Sequence, residues 1–137
     1  MTEILNQINT STSNNAIIVG GVAKWLNGYL ESYNKTWIDI TIPSEFTSSL
    51  DTLGTRLEMS EGTTFPLPTE HQYIIKTDSY ILDVFVQDTS NIEFSEISGS
   101  KVITPQADLD WHLNLSGSMP NEYTHQKVVD RKILYQL

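Results

Sequence analysis

The chain has 137 residues, 17 of them acidic and 8 basic, so its formal net charge is −9; 39% of the residues are hydrophobic. A chain of this length has room for one hydrophobic core, and we expect residues 1–137 to form a single domain. Cysteine is absent. Its absence excludes a disulfide framework, thiolate metal sites and cysteine nucleophiles, and fits a reducing, cytoplasmic compartment.

Charge and hydropathy argue against two classes of partner. The basic residues are dispersed, and only the segment 127–132 is locally dense, so we expect no extensive binding of duplex nucleic acid. No stretch approaches the roughly 20 apolar residues of a membrane span, and the first residues lack the basic region and apolar run of a signal peptide. We therefore expect neither export nor insertion into a membrane.

The first third of the chain alternates predicted helices and a strand. Apolar residues at helical spacing predict a short helix over 3–10, and the β-branched run 16–19 predicts a buried strand that ends at Gly20-Gly21. An amphipathic pattern over 22–33 predicts a helix that lays one face on a sheet.

The next segment begins with the clearest strand pattern in the sequence. Strict alternation over 37–42 predicts a strand with one polar face, on which Asp39 lies. A proline ends this strand, and a capping serine with apolar residues at helical spacing predicts a helix over 44–57. Glycine and two prolines predict a loop over 60–70.

The middle of the chain predicts a β-hairpin. The strand-like runs 72–76 and 80–86 flank a short polar turn, and Asp83 shares a face of the second run with two apolar side chains. The alternation over 91–99 is weak and ambiguous and supports a short strand at most. Residues 102–103 predict an edge strand.

Two helices are predicted at the end of the chain. The first begins at Thr104-Pro105, which combine a capping hydroxyl with proline at the first helical position. The second begins near Asn121 and places Val129, Ile133 and Leu137 on one face.

One constellation of these residues can bind a nucleotide. The glycines at 20–21 let backbone amides approach a phosphate at the start of a helix. Asp39 and Asp83, on separate strands, can converge on a divalent cation that bridges the phosphates. The alternative is that the glycines only form a tight turn and that each aspartate is a solvated residue on an open face.

The same segments resemble the nucleotidyltransferases of the DNA polymerase beta-like fold. Residues 17–23 and 26–29 are similar to the opening of that family, in which apolar residues lead into Gly-Gly or Gly-Ser and a helix. Residues 37–40 and 80–86 are similar to the family's carboxylate-bearing strands. The terminal segment 125–134 resembles a helix of some bacterial members, and the resemblance covers most of residues 3–86.

The resemblance implies an α/β (α+β) domain with a mixed, mostly antiparallel sheet that carries helices on one face. It also implies binding of a nucleoside triphosphate, with Asp39 and Asp83 as catalytic residues and Mg²⁺ ligands. Gly20 and Gly21 would then bind the nucleotide, and Lys24 would offset phosphate charge from the exposed side of its helix.

The first active strand departs from the family pattern. The family carries two carboxylates at alternate positions of this strand, whereas here Asp39 is flanked at these positions by Trp37 and Thr41. One carboxylate is therefore missing, and two aspartates are expected to hold one weak cation site. Another acidic residue that moves in could replace the missing ligand, the candidates being Asp78, Glu45 and Asp51.

Two hypotheses for function follow. The first is an enzyme that transfers a nucleotidyl group from a nucleoside triphosphate to an acceptor. The second is a module that has kept the fold without catalysis and binds a protein partner as a regulator, inhibitor or assembly component, with Trp111 or Tyr123 as an anchor. The small, acidic, cysteine-free composition would suit a viral accessory or structural protein.

Overall fold

The computed structural model describes residues 1–58 and 71–137, so the predicted loop over 60–70 lies outside the described residues. The helices are α1 (Thr2–Ser11), α2 (Gly20–Leu26), α3 (Pro105–Ser118) and α4 (Glu122–Tyr135). The strands are β1 (Ile17–Val19), β2 (Trp37–Ile42), β3 (Thr55–Glu58), β4 (His71–Lys76), β5 (Ile81–Val86), β6 (Phe94–Ile97) and β7 (Ser100–Ile103).

The seven strands of the described residues form one mixed sheet in the order β3-β4-β5-β2-β1-β7-β6. The pairs β2/β5 and β1/β7 are parallel. The other four pairs are antiparallel. The predicted α+β class and the mixed, mostly antiparallel sheet are thereby confirmed.

The two faces of the sheet differ in chemistry. On β2, the alternate residues Ile38, Ile40 and Ile42 are fully buried, and Asp39 points to the opposite face. Helix α1 lies on the isoleucine face, where the Nδ2 of its Asn9 donates a hydrogen bond to the Ser100 hydroxyl. The helices were expected on one face, but α3 reaches the aspartate face through Trp111, whose ring contacts Phe85.

The predicted helix over 44–57 is wrong. Two short 3₁₀ turns, Ser44–Phe46 and Asp51–Leu53, precede strand β3. Pairing with β4 decides this conformation. A Cβ at Gly54 would overlap the backbone of Lys76, so glycine at this position allows the segment before β3 to approach the end of β4. Local helical spacing is therefore overridden by strand pairing.

The helix predicted over 22–33 is shorter than expected. It ends at Leu26, where Nδ2 of Asn27 donates a hydrogen bond to the carbonyl oxygen of Ile103. Gly28 then adopts a left-handed conformation with φ of 87°. This turn takes the chain away from the helix axis and carries Tyr33 back toward the start of α2.

The segments 91–99 and 102–103 form a β-hairpin. The first contains β6, which is the edge strand, whereas β7 lies between β1 and β6. The predicted edge strand at 102–103 is therefore an interior strand. The tertiary order of the sheet, which the local pattern does not encode, explains the difference.

Helix α4 turns a different face inward than its apolar spacing suggests. The three apolar residues predicted on one face, Val129, Ile133 and Leu137, are 46%, 72% and 52% exposed. The buried side includes Val128, Tyr135 and the charged Arg131. Among the described residues, no helix is long and apolar enough to cross a membrane.

Candidate functional site

Asp39 and Asp83 lie side by side on the sheet. They are direct partners in the register of the parallel strands β2 and β5, so their side chains emerge on the same face of neighbouring strands. Sequence reasoning placed Asp39 on a polar strand face and Asp83 on a face shared with two apolar side chains, and the structure brings the two aspartates together.

The pair lies in an environment that disfavours negative charge. Burial and the neighbouring charge of Asp83 raise the pKa of Asp39 from 3.8 to about 7. Burial also raises the pKa of Asp83, and the hydrogen bond donated to its Oδ1 by Nε2 of Gln72, at 2.9 Å, opposes that effect. Two crowded carboxylates of this kind gain stability when a cation binds between them.

The start of α2 abuts this pair. Gly20 has a φ of 65°, and a Cβ built on it would overlap Oδ2 of Asp39. A Cβ on Gly21 would lie 2.7 Å from Cε2 of Tyr33. Glycine at position 20 therefore allows the chain to approach the carboxylate closely, and glycine at position 21 leaves room for the Tyr33 ring.

Two lysines place positive charge near Asp39. The charges of Lys127 on α4 and Lys24 on α2 each oppose the rise in the pKa of Asp39. Lys24 is half-buried rather than exposed as predicted, and burial together with the nearby Arg131 lowers its pKa. Sequence reasoning missed Lys127, whose only signal was the locally dense basic segment at the end of the chain.

Tyr33 and Gln72 are two further site residues that sequence reasoning missed. The Tyr33 hydroxyl donates a hydrogen bond of 2.5 Å to the carbonyl oxygen of Trp37, which fixes the irregular segment after α2 against the first residue of β2. Gln72 contacts Asp83 from the antiparallel strand β4. Neither contact follows a local sequence pattern, since each depends on how distant segments pack.

Neither alternate neighbour of Asp39 replaces the missing carboxylate. The Thr41 hydroxyl is buried, donates to the carbonyl oxygen of Phe85 at 2.8 Å and accepts from Nε2 of Gln87 at 2.9 Å. Trp37 is 42% exposed. Within residues 1–58 and 71–137 no three His, Asp or Glu side chains are grouped as metal ligands, so the acidic candidates Asp78, Glu45 and Asp51 do not complete a site with the pair.

This donor set fits one divalent cation and does not fit two. Carboxylate oxygens are ligands that Mg²⁺ prefers, and burial, with the charge of Asp83 acting on Asp39, raises the pKa of both carboxyl groups, so a cation between them would relieve an unfavourable charge. A second cation at the same position would need further carboxylates to offset the repulsion between the two ions.

Behind Lys24, a buried cluster centred on Asp108 joins α3 to α4. Its Oδ2 accepts hydrogen bonds from Nε of Arg131 at 3.0 Å and from the Tyr135 hydroxyl at 2.6 Å, while Oδ1 lies 3.5 Å from Nε2 of His112. Arg131 also donates to the carbonyl oxygen of Lys127 at 3.2 Å. The cluster therefore fixes the turn of α4 that carries Lys127.

The two proposed partner anchors differ. Trp111 is half-buried, and its ring packs edge to face on Phe85 with centroids 5.9 Å apart. Tyr123 is exposed, and the Nζ of Lys127 lies 4.9 Å from the centre of its ring.

Comparison with known proteins gives matches at the level of structure. No family model and no curated protein matches the sequence. A "putative nucleotidyltransferase" from Thermotoga maritima is 16% identical with a TM-score of 0.59, covering 98% of this chain and 92% of that one.

Two structures of the antibiotic-resistance factor ANT(2'')-Ia also match. The solution structure is 15% identical with a TM-score of 0.58, covering 97% of this chain and 80% of that one. The crystal structure, in complex with adenylyl-2''-tobramycin, is 13% identical with a TM-score of 0.54, covering 96% and 87%. At these identities the shared property is the fold.

Proposed function

We propose that this protein, whose chain has the nucleotidyltransferase fold, binds a nucleoside triphosphate together with one divalent cation. The observation that carries the proposal is the pairing of Asp39 with Asp83, in register and on the same sheet face, against the glycines at the start of α2. Supporting it, the matching ANT(2'')-Ia crystal structure contains an adenylylated compound.

The residues around the pair supply complementary charge. Asp39 and Asp83 would hold Mg²⁺, which when bound would neutralise and orient the phosphates of the nucleotide. Lys24 and Lys127 already act on Asp39 through their charge, and they would attract the remaining phosphate oxygens. Gly20 and Gly21 have no side chains, so they would let the triphosphate lie close to the backbone at the start of α2.

We propose that the protein acts as a nucleotide-binding module with little or no nucleotidyl transfer. Two carboxylates fit one cation, and neither Trp37 nor Thr41, at the alternate positions of β2 where a further carboxylate is expected, supplies one. Without that group no side chain on β2 is left to hold a second cation or to accept a proton from an attacking hydroxyl.

Titration calorimetry with ATP, GTP, CTP and UTP, with and without Mg²⁺, tests the proposal. We expect Mg²⁺-dependent binding of at least one nucleotide, and at least a tenfold loss of affinity in the double variant Asp39→Asn, Asp83→Asn, because the cation loses both charged ligands. Glu96→Gln, on the exposed edge strand β6, serves as the matched control and should bind like the wild type.

Two results would overturn the proposal. One is the absence of binding for all four nucleotides in the presence of Mg²⁺. The other is equal affinity in the wild type and the double aspartate variant. Rapid Mg²⁺-dependent release of pyrophosphate from a bound nucleotide would contradict the assignment as a module and establish an enzyme.

A second candidate function is binding of a protein partner through α4. The observation that favours it is the exposed apolar pair Val129 and Ile133 on the outer side of this helix, with the exposed Leu137 two residues beyond its end. We expect Ile133→Glu to leave thermal stability within about 0.5 kcal/mol, since the side chain is exposed, and to abolish any association seen by light scattering. A wild-type protein that stays monomeric at every concentration would remove self-association from consideration.

A further inference from the structure

The aspartate face of the sheet is closed toward the end of β2 and open toward its start. At the closed end, Thr41 is fully buried, and its register partner Phe85 is also buried, in contact with the ring of Trp111. At the open end, Trp37 is 42% exposed and lies on the same face as Asp39, because the two residues occupy alternate positions of the strand. A ligand bound to the carboxylate pair can therefore extend along β2 only toward Trp37.

Trp37 begins a row of side chains that crosses three strands at this open end. In the register of the sheet, Trp37 is the direct partner of Ile81 on β5, and Ile81 is the direct partner of Lys76 on β4. Direct partners share a face, so the half-buried Ile81 lies between the indole and the exposed Lys76. At the usual spacing of strands, the backbone of Lys76 is about 10 Å from that of Trp37. The row therefore presents an aromatic ring, an apolar floor and an ammonium group, in this order.

Trp37 is also held close to the start of α2. Its carbonyl oxygen accepts the hydrogen bond of the Tyr33 hydroxyl, and the Tyr33 ring in turn lies against Gly21. Burial and the charge of Asp39 raise the pKa of Tyr33, so this ring is near the carboxylate as well. Along β2, Trp37 is about 7 Å from Asp39. The indole therefore lies beside the proposed position of the phosphates, on the side where a nucleotide has room.

The chemistry of the row fits a purine base. An exposed indole offers a stacking surface to an aromatic base, and the apolar Ile81 continues this surface across the sheet. The ammonium group of Lys76 only donates hydrogen bonds. Guanine presents two acceptors on one edge, O6 and N7, whereas adenine has an amino donor in place of O6. Lys76 at the far end of the row therefore favours guanine over adenine.

We propose that the row Trp37, Ile81 and Lys76 is a base-binding subsite and that it selects guanine nucleotides. This inference rests on the proposed function, because phosphates held at Asp39 and Asp83 bring the base to the row. Inorganic triphosphate carries the phosphates without a base, so its binding tests the cation and phosphate site alone.

Calorimetry of the full chain with GTP, ATP, UTP and inorganic triphosphate, each in the presence of Mg²⁺, tests the subsite. We expect the affinities to fall in that order. GTP should bind at least about threefold more tightly than ATP, because Lys76 faces two acceptors rather than one. It should bind about tenfold more tightly than inorganic triphosphate, which lacks the stacked base.

Two variants with matched controls assign the roles of the side chains. Trp37→Ala should weaken GTP binding about tenfold and leave the affinity for inorganic triphosphate within about twofold. Lys76→Gln should remove the preference for GTP over ATP, while both still bind. The controls Phe94→Ala and Lys132→Gln replace an exposed aromatic residue on β6 and an exposed lysine on α4, and both should bind every ligand like the wild type.

Tryptophan fluorescence reports the stacking itself. GTP should quench the emission of the wild type, because the base covers the indole of Trp37. Trp37→Phe should still bind GTP with a small loss of affinity but show no quenching, since Trp25 and Trp111 lie outside the row. Phenylalanine keeps an aromatic ring at this position, so this measurement remains informative if Trp37→Ala is poorly folded.

The outcomes distinguish the subsite from the proposed function. Binding of inorganic triphosphate as tight as that of GTP, or an equal loss of both ligands in Trp37→Ala, would overturn the base-binding subsite and leave the cation and phosphate site standing. A preference for ATP or UTP over GTP, or a preference for GTP that persists in Lys76→Gln, would overturn the selection of guanine. If none of the four ligands binds in the presence of Mg²⁺, both proposals fail.

Discussion

We expect the substitution Asp108→Ala to lower the free energy of unfolding by about 3–5 kcal/mol, the largest effect of any single change considered for this protein. The loss leaves Arg131 buried without its carboxylate and removes the acceptor of the Tyr135 hydroxyl. Urea denaturation followed by circular dichroism measures the difference. Because the cluster joins α3 to α4, the unfolding of these two helices should be affected first.

Two controls separate this effect from a general loss of acidic charge. Asp110→Ala, on the exposed side of the same helix, should change stability by less than about 0.5 kcal/mol. Replacing both partners, Asp108→Leu with Arg131→Met, should be less destabilising than Asp108→Ala, because no charge is left unpaired. Equal losses in Asp108→Ala and Asp110→Ala would contradict the role assigned to the cluster.

The cluster also predicts a pH dependence. Burial alone would raise the pKa of Asp108, but the hydrogen bonds from His112 and Tyr135 and the charge of Arg131 lower it to about 2. The proton therefore binds more weakly in the folded protein than in the unfolded chain. The stabilisation is complete above pH 3.8 and is lost as the pH falls toward 2.

The second large effect is expected at Asp39, with the opposite sign. Its folded pKa of about 7 exceeds the ordinary value of 3.8, so the folded state binds this proton more tightly than the unfolded chain. Stability from this group is therefore complete below pH 3.8 and falls as the pH rises to about 7. Above about pH 7, the charged Asp39 destabilises the folded state.

Asp39→Asn should remove this penalty. At pH 8 and without divalent cations, we expect the variant to be about 2 kcal/mol more stable than the wild type, a value reduced from the full shift because the carboxyl is partly exposed. At pH 4 the difference should be small. Denaturant midpoints across pH 4–8 measure the difference in stability between the two proteins. A wild type as stable as the variant at pH 8, or more stable, would contradict the crowding of the two carboxylates.

The strands beside the site were predictable because their patterns are local. The β-branched run at 16–19 and the strict alternation over 37–42 each specify a strand without reference to the rest of the chain. The segment 44–57 was not predictable in this way. Its apolar spacing fits a helix, but short helices without tertiary packing are only marginally stable, and residues 55–58 pair with β4 at the edge of the sheet instead.

The residues of the candidate site were also predictable only where a local sequence pattern marked them. The glycines at 20–21 and the two aspartates interrupt apolar segments, so the sequence itself marked them. Lys127 and Gln72 reach the site from α4 and β4, and their positions depend on packing between distant parts of the chain. The face that α4 turns inward likewise depends on Asp108. Its carboxylate pairs with Arg131 in a buried position, whereas apolar spacing alone would place Arg131 on the exposed face.

By itself, the sequence determined the central strands and the glycine and aspartate positions, because these depend on the period of side chains along one segment and on the conformations available to single residues. The α+β class followed from the resemblance that these same segments carry. Only the tertiary structure decided the register that places Asp39 beside Asp83, the order of the seven strands and the face that α4 turns inward. These features are set by contacts between segments far apart in the chain, where strand pairing and buried ion pairs outweigh local preference.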